Sequence, residues 1–466
     1  MHAMSMVSPL SPLQQFSEML SRGRISPREA AEQALARANS NASHNVYIAL
    51  DAEKVREQAD ALPQRFPDSP KPLLYGVPVS IKDCFDVAGF PTTLGSCFYA
   101  DRNGVAREDS AVAARLRSQG AIVIGKTHMH PLAYGITGEN PDYGDCAQPR
   151  DPQRLTGGSS SGGTASVQER SALAAIGTDT GGSVRGPAAF CGIAGLKPTY
   201  GRVSRRGVFP NTFTMDHCGP LTRSAEDIAL FLQVIAGFDA EDPGSEDVAV
   251  PNYAAGLMRP IEGLRLGLIE HWYAHGAHPD LPPAMSAAVE VLHGLGAVVE
   301  PVQLSSLRDY TDCKTTISIA ELYAIHEKDL KTRPQDFGRI LRNRVLPGAL
   351  IRAEDYVQAL RWRTVLAREQ AAALKRFDAL LTAGALGVAD RADPRPDRLV
   401  SVPSITMPFS VGGLPALAIP CGFSRVEGLP LSLQIAAAPM AEPTVLRIAY
   451  AYQQATDWHS RHPDLH

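Results

Sequence analysis

The chain has 466 residues, a length that suits one large α/β enzyme domain or two smaller domains. Hydrophobic residues make up 44% of the sequence and charged residues 20%, which indicates a globular protein with a sizeable core and excludes a disordered chain. The formal net charge is -4 and no basic run stands out, so neither nucleic acid nor an anionic membrane surface is an expected partner.

Targeting signals and disulfide patterns also give negative indications. Residues 1–16 contain no basic stretch followed by an apolar one, and no run of about 18 apolar residues occurs anywhere, as a secretion signal or a membrane span would require. The seven cysteines include no Cys-x-x-Cys pair, which favours reduced thiols over disulfide, zinc or redox chemistry. We therefore expect a cytoplasmic protein.

The first predicted elements are helices within residues 1–65. Ser11 and Ser26 each precede a proline, and alanine-rich segments follow, a pattern typical of a capped helix start. From Gly76 the pattern changes to an alternation of apolar and other residues, which predicts a short strand. The apolar residues share one face of this strand, so Lys82 points to the opposite face.

Strands and helices then alternate, which predicts an α/β fold built on one sheet. The predicted elements are a helix at 110–119, a strand at 121–124, a Gly/Ser loop at 157–163 followed by a helix, and a turn at 177–183.

The segment 240–400 has a different composition. Ala, Leu and Arg recur there at helical spacing, and proline-rich stretches lie at 278–283 and 394–403. Apolar strand-like runs return at 415–420 and 429–435, which predicts that the C-terminal part rejoins the same sheet.

Two glycine-rich segments carry the strongest chemical signal. Residues 157–163 read Gly-Gly-Ser-Ser-Ser-Gly-Gly and residues 177–183 read Gly-Thr-Asp-Thr-Gly-Gly-Ser, so each offers backbone N–H groups beside serine hydroxyls. Acyl transfer needs such unobstructed N–H donors for the developing oxyanion. A serine nucleophile also needs a base, and a buried lysine with a lowered pKa can supply it.

Residues 157–188 resemble the signature of the amidase signature family, a family of serine hydrolases, without a gap. Lys82 with Asp83 is similar to the family's lysine, and further similar segments begin at Gly195, Asp216 and Gly413. The resemblance implies an amidase signature fold: α/β, with a large mixed central β-sheet flanked by helices. It implies a single domain over 1–466, with N-terminal helices at 1–65, a signature core at 70–235, a variable helical substrate region at 240–400, and a return to the core at 401–466.

The resemblance also assigns roles to individual residues. Ser183 is the implied nucleophile, Ser159 follows a cis peptide bond and relays protons, and Lys82 is the base. The implied oxyanion donors are backbone N–H groups, and three further residues support the site. The oxyanion donors belong to Thr180, Gly181, Gly182 and Ser183, and the supporting residues are Ser160, Asp179 and Arg185. No metal and no organic cofactor is implied.

Two positions depart from the family pattern, and a third often holds a larger residue in relatives. Thr164 and Gln168 stand where small residues are usual, or an acidic one at the first, and they concern local packing. The position of Gly186 often holds a larger residue in relatives, so we expect extra room for substrate beside the nucleophile.

Other motifs are weaker. Residues 120–127 match the letters of a phosphate-binding loop, but a helix precedes them and a strand occupies the place of the loop, which argues against nucleotide binding. His271, His275 and His278 have spacings that suit a metal-binding helix face, yet Gly276 interrupts that helix, which favours surface histidines.

A Ser-His-Asp triad remains an alternative to the lysine. Its histidine would be His128, His130 or His217, but such triads are recognised by geometry and sequence spacing fixes none here. The lysine is favoured because it stands in register with both serine loops.

The expected function is hydrolysis of a carbon–nitrogen bond in an amide or a carbamate (urethane), of an aryl or otherwise hydrophobic small molecule, through an acyl-enzyme. The expected protein is a monomer or homodimer. One alternative is the glutaminase A subunit of a tRNA-dependent amidotransferase, which works with a partner. Residues 125–130 and 138–141 look more like stand-alone amidases. A further alternative, from another class, is a catalytically silent binding protein of the same fold.

Overall fold

A large mixed sheet forms the centre of the molecule. The computed structural model describes residues 10–391 and 404–463. Its strands are β1 (Tyr47–Leu50), β2 (Pro78–Lys82), β3 (Ile122–Thr127), β4 (Ala147–Gln148), β5 (Asp151–Leu155), β6 (Ala174–Asp179), β7 (Ala194–Lys197), β8 (His217–Thr222), β9 (Arg265–Leu268), β10 (Val298–Pro301), β11 (Ala379–Ala383), β12 (Ala416–Phe423) and β13 (Pro430–Ala436). The main sheet has the strand order β1-β3-β2-β6-β8-β7-β12-β13-β11-β9-β10, and β4 pairs with β5 alone.

Helices cover this sheet, which confirms the predicted α/β class with a large mixed sheet flanked by helices. They are α1 (Pro12–Ser21), α2 (Pro27–Ser40), α3 (Ala52–Arg65), α4 (Cys97–Asn103), α5 (Ala111–Ser118), α6 (Ser161–Gln168), α7 (Arg185–Cys191), α8 (Ala225–Ile235), α9 (Leu281–Gly294), α10 (Leu307–Thr332), α11 (Arg339–Val345), α12 (Ala353–Ala373), α13 (Met407–Val411) and α14 (Glu442–Ala455). In the described part of the chain, no helix combines the length and apolarity that crossing a membrane would need.

Strand β2 lies inside the sheet, between the parallel strands β3 and β6. Such a strand is covered on both faces, so even its polar side chains are buried. Val79 and Ile81 belong to the main hydrophobic core, whereas the Ser80 hydroxyl contacts the Ser166 hydroxyl of α6 at 2.8 Å. Lys82 follows Ser80 on this second face and is fully buried. The alternation in the sequence thus predicted the correct direction for the lysine.

Most of the elements predicted from residues 1–235 are present. Ser11 and Ser26 cap α1 and α2 with their side chains, and Ser110 caps α5. One prediction was wrong in part. Gly177 to Asp179 are not a turn but the end of β6, because they pair with β8 through the register Gly177↔Gly219 to Asp179↔His217. The loop proper begins at Thr180.

The second half of the chain contributes to the same sheet. The apolar runs at 415–420 and 429–435 form β12 and β13, which lie between β7 and β11. Segment 240–400 contains the predicted helices but also β9, β10 and β11, which helical spacing did not reveal. The prolines at 278–283 stand at the start of α9, and the stretch at 394–403 falls outside the described residues.

Candidate active site

The two glycine-rich segments meet directly. The Ser160 N–H donates to the Ser183 carbonyl at 3.1 Å, and the Ser160 hydroxyl donates to the Thr178 carbonyl at 3.3 Å. Gly177 makes this approach possible, because a Cβ there would lie only 2.5 Å from Ser160 Oγ. Ser160 therefore joins the first segment to the second, which is the supporting position that the family resemblance implied.

Lys82 reaches the same point from the end of β2. Its Nζ lies 2.7 Å from Ser159 Oγ and 2.7 Å from Thr178 Oγ1, and it donates to the Thr178 carbonyl at a longer 3.4 Å. No described carboxylate forms an ion pair with this amine. The structure therefore places the predicted base in hydrogen-bond contact with the predicted relay serine.

The surroundings of Lys82 favour its neutral form. Burial lowers the pKa of Lys82 below its ordinary value, and the acidic groups around it, with Asp179 and Asp216 among them, oppose this only partly. Desolvation disfavours the ammonium form because water can no longer solvate the charge. An amine in this state can accept a proton from a neighbouring hydroxyl.

The two predicted catalytic serines differ in exposure. Ser159 is fully buried and follows the cis Gly158–Ser159 peptide bond. Its carbonyl accepts from the His130 N–H at 3.2 Å. Ser183 keeps about 9% of its surface exposed, so it is the one of the pair that a solute can reach. This order, from buried lysine through buried serine to accessible serine, suits a relay that ends on a nucleophile.

The backbone N–H groups after β6 are only partly available. Thr180, Gly181 and Ser183 find no hydrogen-bond acceptor for their N–H groups among residues 10–391 and 404–463. Gly182 differs from the prediction, because its N–H donates to Asp179 Oδ1 at 2.8 Å. A donor already bonded to a carboxylate cannot also serve an oxyanion well, so we retain three of the four predicted donors.

Asp179 and Arg185 form a fully buried pair under this loop. The Asp179 carboxylate accepts from the N–H groups of Gly182, Val184 and Arg185 at 2.8 to 3.3 Å. The Arg185 guanidinium donates two bonds to the same carboxylate at 3.0 and 2.9 Å. Burial tends to raise the pKa of Asp179, but the Arg185 charge outweighs it and the pKa lies well below its usual range. The carboxylate stays ionised and holds the loop in one shape.

The C-terminal part of the chain anchors Arg185 from the other side. The guanidinium donates to the Thr406 carbonyl at 2.7 Å, to Gln434 Oε1 at 2.8 Å and to Ser410 Oγ at 2.8 Å. The Thr406 hydroxyl in turn donates to the Gly181 carbonyl at 2.7 Å. Sequence reasoning missed Thr406 and Ser410, because no local motif marks a residue that acts at such a separation.

Two further contacts escaped sequence reasoning although the residues lie in marked segments. Thr178 belongs to the second glycine-rich segment and contacts Lys82 through its hydroxyl. Asp216 begins another family-like segment, and it accepts from the Thr180 hydroxyl at 2.5 Å and from two backbone N–H groups at 2.8 and 2.9 Å. Burial raises the pKa of Asp216. The site thus includes a second buried carboxyl below the loop.

The departures from the family pattern are accommodated locally. The Thr164 hydroxyl donates to the Ser160 carbonyl at 2.9 Å, and Gln168 donates to the Cys191 carbonyl at 2.7 Å. A Cβ on Gly186 would meet nothing within 4 Å, so this position has open space. Thr164 and Gln168 therefore form local packing contacts. That the space beside Gly186 accommodates substrate stays a prediction.

The remaining histidines and the phosphate-loop letters serve other contacts. Burial lowers the pKa of His128 to about 4 and that of His130 to about 3, and His217 contacts the Asp179 carbonyl at 3.0 Å and Lys197 at 3.2 Å. Lys126, from the phosphate-loop letters, lies in β3 and pairs with Asp83 at 3.1 Å. Within the described residues neither these groups nor Ser159 hydrogen-bonds to the Ser183 hydroxyl, but Ser159 contacts the buried amine of Lys82 at 2.7 Å.

Two of the histidines whose spacing suited a metal site make polar contacts with protein groups instead. His271 contacts the Leu304 carbonyl at 3.0 Å, and His278 lies 3.4 Å from Glu427. Both are held by protein groups on separate elements.

A cavity of about 200 Å³ borders the site. It reaches Thr178 and Asp216, and its other walls are largely apolar, with Val208, Phe209 and Phe213 among them. A larger hollow of about 600 Å³ lies between the N-terminal helices and α14, but it touches none of the predicted site residues. The smaller cavity is not lined by the predicted site residues either, but it adjoins them, because Thr178 contacts Lys82 and Asp216 accepts from the Thr180 hydroxyl.

Comparison with known proteins agrees with this geometry. The Amidase family model matches residues 29–446. The chain is 34% identical to the A subunit of the glutamyl-tRNA(Gln) amidotransferase of Moorella thermoacetica, over 97% of this chain and 98% of that protein. It is 37% identical to an amidase of Pseudomonas putida, over 97% of both chains. The structure of 6-aminohexanoate cyclic dimer hydrolase complexed with substrate superposes with a TM-score of 0.88 at 26% identity, over 97% of this chain and 98% of that chain. The chain belongs to the amidase signature family, and it is a hydrolase of carbon–nitrogen bonds.

Proposed function

We propose that the protein is a stand-alone hydrolase that cleaves amide or carbamate bonds in small molecules through a Lys82, Ser159, Ser183 triad. The observation that supports this most directly is the position of Lys82. It is a fully buried amine with a lowered pKa and no carboxylate partner among the described residues, 2.7 Å from Ser159 Oγ. Lys197 is also fully buried with a lowered pKa, but its amine contacts backbone carbonyls and His217, whereas the Lys82 amine contacts a serine hydroxyl that can give it a proton.

In the first half of the proposed reaction, Ser183 attacks the substrate carbonyl. Its proton passes to Ser159 Oγ while the Ser159 proton passes to the neutral Nζ of Lys82. The N–H groups of Thr180, Gly181 and Ser183 stabilise the negative oxygen that forms. Collapse of this intermediate breaks the carbon–nitrogen bond, and the proton on Lys82 returns through Ser159 to the leaving nitrogen.

In the second half, water repeats the attack on the acyl-enzyme. The relay takes a proton from water, the ester bond to Ser183 breaks, and the proton returns to Ser183 Oγ as the acid leaves. A carbamate passes through the same steps, and its acyl product is a carbonic acid derivative. The relay is neutral before and after each half-reaction, which matches an uncharged Lys82 in the resting enzyme.

The proposed substrate has an aryl or otherwise hydrophobic body. The apolar walls of the 200 Å³ cavity, formed in part by Phe209 and Phe213, support this because burial of apolar surface is the main favourable term in binding. An aryl acylamide and a urethane (aryl carbamate ester) both fit this description. The carbamate has an ester oxygen on its carbonyl carbon where the acylamide has a carbon, but both bury an aryl group.

The second candidate is a glutaminase subunit that passes ammonia to a tRNA-bound acceptor. It is favoured by relatives of that name that match nearly the whole chain, such as the one from Moorella thermoacetica. Residues 125–130 and 138–141 favour the stand-alone enzyme, as does the Pseudomonas putida relative named amidase. A catalytically silent protein is disfavoured, because Lys82, Ser159 and Ser183 are all present and the first two are in contact.

The test is hydrolysis by the purified chain of an anilide, a carbamate ester and glutamine, each beside Ser183→Ala and Lys82→Ala. We expect cleavage of the anilide or the carbamate by the wild type alone, and loss of this activity in both variants. Release of ammonia from glutamine only after addition of a partner protein would favour the amidotransferase. Binding of the anilide without turnover would favour the silent protein.

A further inference from the structure

A second buried lysine lies over the oxyanion loop. Lys314 comes from α10, and only about 8% of its surface is exposed. A Cβ on Gly181 would lie 3.0 Å from Lys314 Cε and 3.5 Å from Lys314 Nζ, so the ammonium group lies close to the backbone of Gly181, which carries one of the three available N–H donors. Lys314 is not part of the proposed proton relay.

The Lys314 ammonium has no hydrogen-bond or ion-pair partner within the part of the chain that the structure describes. Two carboxylates, Asp216 and Asp179, act on the pKa of Lys314 by their charge, but both already accept hydrogen bonds from other groups. Asp216 accepts three hydrogen bonds and Asp179 pairs with Arg185. An aromatic ring is the contact that the protein does provide, since Nζ lies 5.6 Å from the centroid of Tyr134.

A second cation acts on the same ring. Arg344 of α11 influences the pKa values of both Tyr134 and His130 by its charge, and its guanidinium lies 3.3 Å from His130 Nε2. Burial together with this charge keeps His130 neutral by lowering its pKa to about 3. The backbone N–H of His130 donates to the Ser159 carbonyl, so the residue whose ring Arg344 contacts lies against the same site.

We propose that Lys314, together with Arg344 near the same Tyr134 ring, forms a subsite for an anionic group of the substrate, and that the preferred substrate carries a carboxylate near the scissile amide or carbamate carbonyl. This inference rests on the proposed function and refines its substrate. The apolar body of the substrate occupies the cavity at Phe209 and Phe213, and the carboxylate supplies the partner that the ammonium lacks. A buried charge with no partner is costly, and a carboxylate ligand removes that cost.

The electrostatic state of Lys314 agrees with this role. Burial lowers the pKa of Lys314 to about 8, while the charges of Asp216 and Asp179 act in the opposite direction. The group is thus mostly protonated near neutral pH. A charge-assisted hydrogen bond to a carboxylate corresponds to a preference of about 10-fold to 100-fold over a neutral analogue.

The experiment compares matched substrates with and without a carboxylate. One pair differs on the acyl side, the mono-4-nitroanilide of glutaric acid against the 4-nitroanilide of hexanoic acid. The other differs on the amine side, 4-acetamidobenzoate against 4-methylacetanilide. The value of kcat/KM is measured for wild type, Lys314→Met, and Lys331→Met, a control on the same helix whose side chain is 64% exposed.

We expect wild type to prefer the anionic member of at least one pair by about 10-fold or more. Lys314→Met should lose this preference mainly through a raised KM for the anionic substrate, while hydrolysis of the neutral member and the behaviour of Lys331→Met stay unchanged. Equal losses for anionic and neutral substrates would assign Lys314 to the oxyanion and overturn the subsite. The wild-type ratio alone tests the preference for a carboxylate even if the variant folds poorly, and the absence of any preference contradicts the subsite.

The two proposals fail in different ways. Hydrolysis that survives in Ser183→Ala, or no hydrolysis of the four anilides and of the carbamate ester, contradicts the proposed function. Ser183-dependent hydrolysis without preference for a carboxylate in either pair contradicts the anionic subsite alone.

Discussion

Replacement of Lys82 by methionine separates catalysis from stability. The side chain is fully buried, and burial lowers the pKa of its amine. If Lys82 acts as the base, this amine is largely uncharged in the folded enzyme. In the unfolded chain a lysine has a pKa of about 10.4, and its deprotonation at pH 7 costs about 5 kcal/mol. Methionine avoids this cost and fills a similar volume.

The hydrogen bonds of the amine offset part of the gain. Ser159 Oγ and Thr178 Oγ1 each lose a contact of 2.7 Å, at a cost of about 1 kcal/mol for each. We therefore expect Lys82→Met to raise the free energy of unfolding by about 3 kcal/mol at pH 7 and to lower kcat/KM by at least about 100-fold. Stability is measured by urea unfolding and activity with the anilide.

The stability difference should depend on pH. The pKa of Lys82 is lower in the folded state than in the unfolded state, so the wild type gains stability as pH rises toward the unfolded pKa. The advantage of Lys82→Met should therefore shrink between about pH 7 and pH 10.

Lys126→Met is the matched control. Lys126 is equally buried but pairs with Asp83 at 3.1 Å. Its loss leaves the buried Asp83 carboxylate with hydrogen bonds from Thr93 and Gly95 but without a cation, and should destabilise by about 3 to 5 kcal/mol. If Lys82→Met were destabilised to a similar degree, the lysine would be charged in the folded state and the proposed base would be refuted.

Three further outcomes test the rest of the site. Ser159→Ala should lower kcat of the anilide reaction by about 100-fold or more. The control Ser161→Ala removes a buried hydroxyl without a partner among the described residues and should change kcat little. Equal losses of kcat in the two variants would exclude a relay role for Ser159. Asp179→Asn should lower the free energy of unfolding by about 3 to 5 kcal/mol, because it leaves a guanidinium charge buried, and urea unfolding that shows a loss below about 1 kcal/mol would contradict the ion pair as described. The preference for anionic substrates should fall from pH 7 to pH 9 as Lys314, which faces Asp216 and Asp179, loses its proton near pH 8. The ratio of kcat/KM values cancels the titration of the base, so a constant ratio would argue against Lys314 as the binding cation.

Local sequence carries the part of the site that depends on spacing along the chain. Alternation in β2 predicted that Lys82 leaves the sheet on the face opposite Val79 and Ile81, and the structure places it there against Ser159. The two glycine-rich segments were predicted to act together, and they meet through the bond from Ser160 to Ser183. In these cases short elements with strong patterns fix the geometry almost by themselves.

Other features depend on packing between distant elements and left no local signal. The N–H of Gly182 looked available in the sequence, because nothing in a glycine run shows that Asp179 will turn back and accept from it. Strands β9 and β10 are short, and β10 is half-buried or exposed throughout, so they lack the continuous apolar run that marks an inner strand. Lys314 looked like any lysine on a long helix, since only the packing of α10 over the loop buries it.

The two halves of the chain have different roles in these contacts. The proposed base, relay and nucleophile come from residues before 190, and the Arg185 guanidinium connects their loop to Thr406 and Gln434 of the returning C-terminal part. The cations that we propose to bind the substrate carboxylate, Lys314 and Arg344, come instead from α10 and α11, which contribute no residue to the proposed relay. A substitution on these helices can therefore change which charge the substrate must carry while Lys82 keeps its 2.7 Å contact with Ser159. For this reason the family signature predicts the reaction of this protein, whereas its substrate has to be sought in the helices that the signature does not cover.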